Sequence, residues 1–334
     1  MSSATRSHDQ PPSALHVNDC AFTAHNLIRR AHELGWQWSF QPVAAQGRTW
    51  PGLGGRARKA ALGARWLAVL AARASRTDVM HVHSGSVLRH SRLVPKRFVL
   101  HLHGTDIRTL QYDPAWTSVI RGGVRDAQHV FYSTPDLAEH VQPLRTDATY
   151  LPVPIDVDRL PRWAPKPGRR PTVLFASRWD HSKGMDTQLK LAGDLVRAVG
   201  DRADVVGLEW GSAVDEAWRA GVVLRPQADH DTYLSWLASA DVVVGQSAGI
   251  LAASELEALG SGAPLVVPVP LPLYDDVRPP VLGGDVESSV DVVRALLDGS
   301  AHDDAAARAW VAEHHGVDAA TRTVADVYRR LVRR

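Results

Sequence analysis

The 334-residue chain contains one cysteine, Cys20, and three methionines. A single thiol cannot close a disulfide within the chain, so the fold rests on packing, and a reducing compartment suits it. No apolar run approaches the ~20 residues that cross a bilayer. The opening MSSATRSHDQPP is polar and ends in proline, without the apolar centre of a secretion signal. The 38 basic side chains nearly balance the 36 acidic ones, leaving +2, a charge too small to point to nucleic acid as a partner. No short-period repeat is present. The expected location is the cytoplasm.

One absence is local. From Leu34 to Thr77 there is no Asp or Glu, yet Arg48, Arg56, Arg58, Lys59, Arg65, Arg73 and Arg76 fall inside, interleaved with Trp36, Trp38, Trp50 and Trp66. A basic helix bearing tryptophan can lie on an anionic membrane surface. Residues 48–76 are therefore an expected contact with the inner face of the membrane, in a peripheral position. On a helical wheel, Arg58, Arg65 and Arg76 run beside Leu62, Trp66 and Val69 rather than opposite them, so a solvated domain face fits the spacing as well.

What is present is alternation. Short apolar runs trade places with helix-like stretches, the pattern of a parallel α/β architecture. Strands are predicted at 14–19, 78–83, 97–104 and 129–134, then at 172–177, 203–209, 221–226, 240–246 and 263–269. Helices are predicted at 21–34, 56–76, 230–238 and 251–259. Runs such as DVVVG, apolar on both faces, suit buried parallel strands. Between the two series lies a segment rich in proline, with Pro152, Pro154, Pro161, Pro165, Pro167 and Pro171. The expected organisation is an N-terminal tail (1–12), an N-terminal Rossmann-like domain (13–155), a Pro-rich hinge (156–171), a C-terminal Rossmann-like domain (172–317) and a C-terminal helix (318–334). A ligand is expected in the cleft between the two domains.

Four groups of residues could carry chemistry. In FASRWDHSKGMDT, Arg178 and Lys183 stand five positions apart just after a strand, where doubly wound folds bind ligands. Two fixed cations there suit a diphosphate, the guanidinium binding it in bidentate fashion; a solvated loop is the plain alternative. In GQSAGILAASELEALGSGAP, Ser247, Gly249, Ile250 and Leu251 precede a helix whose first turns hold Glu255 and Glu257. The backbone N–H groups there can meet an anion, and a carboxylate can accept two ribose hydroxyls. Only one of the two glutamates can face such a ligand; acids complementing a helix dipole are the plain alternative. His81 and His83, and His101 and His103, are spaced i, i+2 on strands, so each pair shares a face. They could ligate a metal, or be strand-end histidines bonded to backbone, the reading favoured here. Two Asp-x-Asp strings, at Asp156 and Asp158 and at Asp229 and Asp231, are discounted: the first lies in the Pro-rich segment, and the second opens a helix where Asp caps.

Together, DVMHVHSG, LHLHGTD, YLPVPIDVDRL, FASRWDHSKGMDT, SADVVVGQS and ELEALGSGAPLVV resemble the retaining glycosyltransferases of family 4. They do so in order and at roughly the family's spacings, over most of the chain. The resemblance implies a GT-B fold of two Rossmann-like domains facing across a cleft, with the last helix crossing back to the N-terminal domain. By the resemblance, Arg178 and Lys183 hold the diphosphate of a UDP- or GDP-linked sugar and Glu257 anchors the ribose. Ser247, Gly249, Ile250 and Leu251 complete the donor site. His103 reaches the reacting centre, and Asn18, Asp19, Thr105 and Asp106 contact sugar or acceptor. The family's paired-glutamate motif has its first glutamate eight residues before Glu257, where this chain has Gly249. The usual double glycine after the first strand is also missing, with NDCAFT in its place.

The implied reaction is transfer of the sugar to a hydroxyl acceptor with retention of configuration. The acceptor could be lipid-linked, a glycan or a small natural product. Arg178, Lys183 and the helix N-terminus would stabilise the leaving diphosphate, with no metal and no cofactor required. Closure about the hinge would bring His103 onto the donor. Competing readings are a nucleotide-sugar binder without turnover, a sugar-nucleotide epimerase of the same fold, and a metal hydrolase built on the paired histidines.

Overall fold

The computed structural model describes residues 10–43 and 52–333. Residues 1–9 of the expected tail, and Arg48 and Trp50 of the basic segment, lie outside the described residues. The chain divides into two compact units, one running to Pro154 and resuming at Val317, the other spanning Ile155–Gly316.

The first unit carries six parallel strands: β1 (Ala14–Val17), β2 (Trp38–Gln41), β3 (Val79–His83), β4 (Phe98–Leu102), β5 (His129–Tyr132) and β6 (Thr149–Tyr150). Their order in the sheet is β2-β1-β3-β4-β5-β6. The chain thus runs one way from β1 to β2 and the other way from β3, and the crevice of a doubly wound sheet opens where the direction changes, at the carboxyl ends of β1 and β3. One face packs Leu15, Val17, Met80, Val82, Leu100 and Leu102 under the helices. The other packs Trp38 and Phe131 against Val324, Val327 and Tyr328 of the helix Val317–Val332.

The second unit holds β7 (Thr172–Phe175), β8 (Asp204–Leu208), β9 (Val223–Arg225), β10 (Val242–Val244), β11 (Leu265–Val267) and β12 (Leu282–Gly283). The order is β12-β11-β10-β7-β8-β9, all parallel, with its change of direction between β7 and β10. This is the expected doubly wound α/β architecture, present twice. Every predicted strand is present, each trimmed at one or both ends. The strands β2, β6 and β12 were not predicted: β6 and β12 are two residues long and β2, WSFQ, is half polar, so none stands out as an apolar run.

The basic segment folds as the helix Gly52–Ala74. Trp66, Leu70 and Ala74 are core residues, and Trp66 Nε1 donates to Pro42 O at 2.7 Å. Arg56, Arg58, Lys59 and Arg65 are exposed. The tryptophans Trp38 and Trp66 therefore serve packing rather than an outward face. Among the described residues no helix is long and apolar enough to cross a membrane.

Candidate functional site

In the second unit the switch point between β7 and β10 gathers the residues singled out by sequence. The loop leaving β7 carries Arg178 and ends in a single turn, His181–Lys183, capped by Asp180, whose carboxylate accepts from Ser182 N. Arg178 lies 3.3 Å from Asp180, with its guanidinium 5.4 Å from the centre of the Trp210 ring. Lys183 Nζ donates to Gln246 Oε1 at 3.1 Å, and Ser247 N donates to Lys183 O at 2.9 Å. The loops after β7 and β10 are thus sewn together by both side chain and backbone. Gly184 makes this possible. It sits at φ +71°, and a Cβ there would lie 2.5 Å from Ser247 O. Only glycine allows that approach.

The two glutamates of the helix Ala253–Ser261 have different tasks, as their spacing required. Glu255 is buried and turned inward. It accepts from Gln246 N at 3.1 Å, Gln246 Nε2 at 3.1 Å and Ala252 N at 2.9 Å. It therefore caps its own helix and fixes the glutamine that holds Lys183. Glu257 is 4% exposed, and its Oε1 lies 2.8 Å from His230 Nε2. Burial raises the Glu257 carboxyl above its ordinary range, an effect the His230 hydrogen bond partly offsets. Sequence reasoning missed His230 and the part played by Gln246, although both stood inside strings it considered. Asp229 caps the helix His230–Ser239 as expected, accepting from Thr232 N at 2.8 Å.

Gly249 adopts φ +73°, and a Cβ there would meet only Pro270 O, at 3.9 Å. The Leu251 N–H, expected to face a ligand, donates instead to Tyr274 Oη at 2.8 Å, and that of Ser247 is used by Lys183 O. Among the described residues, the amides of Gly249 and Ile250 keep no backbone partner.

In the first unit the carboxyl ends of β1, β3 and β4 meet. Asn18, at φ +69°, donates from Nδ2 to His83 O at 2.9 Å. Asp19 accepts from Ala24 N at 2.8 Å and pairs with His25, fixing the start of the helix Thr23–Glu33. Asp106 is buried, and its two oxygens accept from the backbone of Gly85 (2.9 Å), Gly104 (3.0 Å), Ile107 (2.9 Å) and His103 (3.2 Å). It is the knot of the loop that presents His103, while Thr105 is exposed. Burial, followed by the charges of Asp106 and Asp19, pushes the Cys20 thiol up to about 12, so this cysteine is inert as a nucleophile.

The paired histidines share one face, as their spacing predicts, but they are not bonded to backbone. His16 Nδ1 lies 3.0 Å from His83 Nε2, His83 Nδ1 lies 3.2 Å from His103 Nε2, and His81 Nδ1 lies 2.6 Å from Tyr328 Oη. Two triads, His16 with His81 and His83, and His83 with His101 and His103, bring their nitrogens within 4.8 Å. Neither triad contains a carboxylate, and the nitrogens of His16 and His83 are already directed at one another. His16 and Tyr328 were not singled out by sequence. Their link appears only when β1 and the last helix are brought to the same face.

No protein-family profile and no curated protein matches the chain. Solved structures do resemble it. AviGT4, a glycosyltransferase involved in avilamycin A biosynthesis, is 21% identical with a TM-score of 0.64, over 96% of this chain and 98% of that one. Anabaena HepE, solved with UDP-glucose, is 12% identical with a TM-score of 0.68, over 94% and 98%. A Listeria monocytogenes protein assigned as a UDP-N-acetylglucosamine 2-epimerase is 15% identical with a TM-score of 0.60, over 93% and 94%. The two parallel sheets and these neighbours establish a two-unit α/β fold of the GT-B type.

Proposed function

We propose that the protein is a glycosyltransferase that moves a sugar from a nucleoside-diphosphate sugar to a hydroxyl acceptor with retention at the anomeric carbon. The supporting observation is the assembly at the β7–β10 switch point: Lys183 held by Gln246, Gln246 held by buried Glu255, and Glu257 buried beside His230. A buried carboxylate for ribose hydroxyls, two cations on the loop after β7, and the amides of Gly249 and Ile250, which keep no backbone partner among the described residues, together suit a ribose and a diphosphate.

In this reading Glu257 accepts the ribose hydroxyls, while Arg178 and Lys183 hold the diphosphate. As the glycosidic bond breaks, negative charge grows on the diphosphate, and these fixed cations stabilise it more than they stabilise the bound donor. They supply the charge that a divalent ion supplies in other transferases. His103 serves the reacting sugar, with Asp106 shaping its loop and Asn18, Asp19 and Thr105 on the acceptor side. The exposed Arg56, Arg58, Lys59 and Arg65 suit an anionic surface or a lipid-linked acceptor.

Calorimetric titration with UDP, GDP and their sugars tests the donor site. One nucleotide should bind, and Arg178→Ala and Glu257→Ala should each weaken it about tenfold or more (~1.4 kcal/mol). Absence of binding to any of them ends the transferase reading. Because a neighbour of this fold is assigned as an epimerase, the preferred donor is also incubated with protein alone. Conversion to its epimer without acceptor would replace transfer by epimerisation.

A further inference from the structure

Four imidazoles and one phenol in the first unit form a single hydrogen-bonded series. It runs from His103 through His83 and His16 to Tyr328, and from Tyr328 to His81. The sequence builds it simply. His16 lies on β1, His81 and His83 on β3 and His101 on the neighbouring parallel strand β4, with His103 just past its end; His16 is opposite His81 and His83 opposite His101. Tyr328 comes down on them from the helix Val317–Val332. His16, His81, His83 and Tyr328 are fully buried, and His103 alone of the five is partly exposed.

Proton counting makes such a series directional. Burial holds His16, His81, His83 and His103 below the ordinary imidazole range and holds the Tyr328 phenol above its own. Each ring is therefore neutral and carries one proton, and Tyr328 keeps its hydroxyl hydrogen. Every N···N contact takes one donor and one acceptor, so the choice made at one end is passed along to the other. Tyr328 has one hydrogen to give. Its oxygen lies 2.6 Å from His81 Nδ1 and 3.4 Å from His16 Nε2. The shorter separation is that of a hydroxyl donor, which approaches its acceptor more closely than an N–H does. With the hydrogen given to His81 Nδ1, that ring carries its own proton on Nε2, which is buried without a partner, and the phenol oxygen can only accept from His16 Nε2–H. His16 Nδ1 then accepts from His83 Nε2–H, and His83 Nδ1 accepts from His103 Nε2–H.

We propose that Tyr328, His16 and His83 are positioning residues that fix His103 as its Nε2–H tautomer, leaving Nδ1 as a bare proton acceptor at the exposed end of the series. A histidine held this way accepts a hydrogen bond from a hydroxyl; it cannot donate one from Nδ1. If the transferase reading holds, the residue is suited to a sugar or acceptor hydroxyl. The tautomer itself does not depend on that reading. Removing the phenol hydroxyl should reverse the series. His16 Nε2–H would be stranded in the core, whereas the opposite arrangement leaves only a bare Nε2 on His16 and turns Nδ1–H of His103 toward water.

The test is nuclear magnetic resonance of the full chain labelled with ¹⁵N at histidine, at pH 7.5. Long-range ¹H–¹⁵N correlations report which ring nitrogen carries the proton, and His103→Gln assigns its signals. The expected result is Nε2–H for His103 in the wild type and a shift to Nδ1–H, or to a mixture, in Tyr328→Phe. Nδ1–H in the wild type overturns the proposal, whether or not the variant folds. So does a folded Tyr328→Phe protein with the His103 tautomer unchanged. Elemental analysis of the same sample supplies a third arm: one equivalent of zinc bound by these histidines would also overturn it, since a ligating nitrogen cannot serve as donor or acceptor in the series.

Discussion

His230 Nε2 lies 2.8 Å from Glu257 Oε1, and the carboxylate it meets is 95% shielded from water at its side chain. The pair bears directly on how donor binding depends on pH. In the proposed site a ribose hydroxyl would donate to Glu257, which would hold it best when ionised. Burial raises the Glu257 pKa and His230 lowers it in part. Affinity for the nucleotide should therefore fall as pH drops through a value above the ordinary carboxylate range. His230→Ala removes the lowering contribution, and the acid limb should move to higher pH with little change at pH 8. Titrations of UDP or GDP binding between pH 5 and 8 check this. An acid limb that stays in place in His230→Ala refutes it.

The sequence made the parallel architecture legible because buried parallel strands are apolar on both faces and stand out as runs, as with Val242–Val244. Arg178, Lys183, Glu257 and His103 were legible as candidates because they occupy strand ends and helix starts. The supports around them were not. Gln246, His230, Tyr274 and Tyr328 reach their partners over sequence separations of 63, 27, 23 and 247 residues. Nothing local marks a side chain whose partner lies that far along the chain. The expectation for the histidines failed for the same reason: i, i+2 spacing gives the shared face, and only the strand order β1-β3-β4 brings the rings of different strands within bonding distance.

Gln246 should behave as a positioning residue for Lys183. Replacing it by leucine keeps the volume but removes the acceptor of the 3.1 Å bond and leaves Glu255 with two backbone donors. Affinity for the diphosphate nucleotide should fall about tenfold, short of the ~100-fold expected for Lys183→Ala, each tenfold step being ~1.4 kcal/mol. In Lys183→Ala the additional Gln246→Leu change should cost almost nothing, because the lysine it served is gone. Additive losses in that double variant would show that Gln246 acts elsewhere.

The buried histidines predict a steep loss of stability in mild acid. His16 is lowered from 6.5 to about 3, and His81, His83 and His101 are lowered as well, chiefly by burial. Well above pH 6.5 these groups are neutral in both folded and unfolded chains and stability does not depend on them. Below it the unfolded chain takes up protons that the folded one refuses, at about 1.4 kcal/mol per pH unit per histidine. Four such groups act in the same direction, so the loss is steep against the marginal stability of a typical domain. Thermal unfolding midpoints should hold steady from pH 8 to 7 and fall sharply between pH 6 and 5. His81→Leu should flatten the fall, and a midpoint independent of pH over that range would rule the account out.

Gly184 and Gly249 separate backbone strain from steric exclusion. Both are in the left-handed region, at φ +71° and +73°, so alanine at either carries the same conformational cost of about 1–2 kcal/mol. The surroundings differ. A Cβ on Gly249 finds nothing nearer than Pro270 O at 3.9 Å, whereas one on Gly184 meets Ser247 O at 2.5 Å and Ser247 C at 2.7 Å. Gly249→Ala should therefore lose only the backbone cost and keep its nucleotide affinity within about twofold (~0.4 kcal/mol). Gly184→Ala must push the β7 and β10 loops apart, breaking the bond from Ser247 N to Lys183 O and displacing Lys183 from Gln246. Its stability loss should be clearly larger, and its nucleotide affinity should approach that of Lys183→Ala. Urea unfolding and nucleotide titration of the two variants side by side decide the matter. Equal losses at the two glycines would mean that the closeness of these loops contributes nothing to holding the lysine.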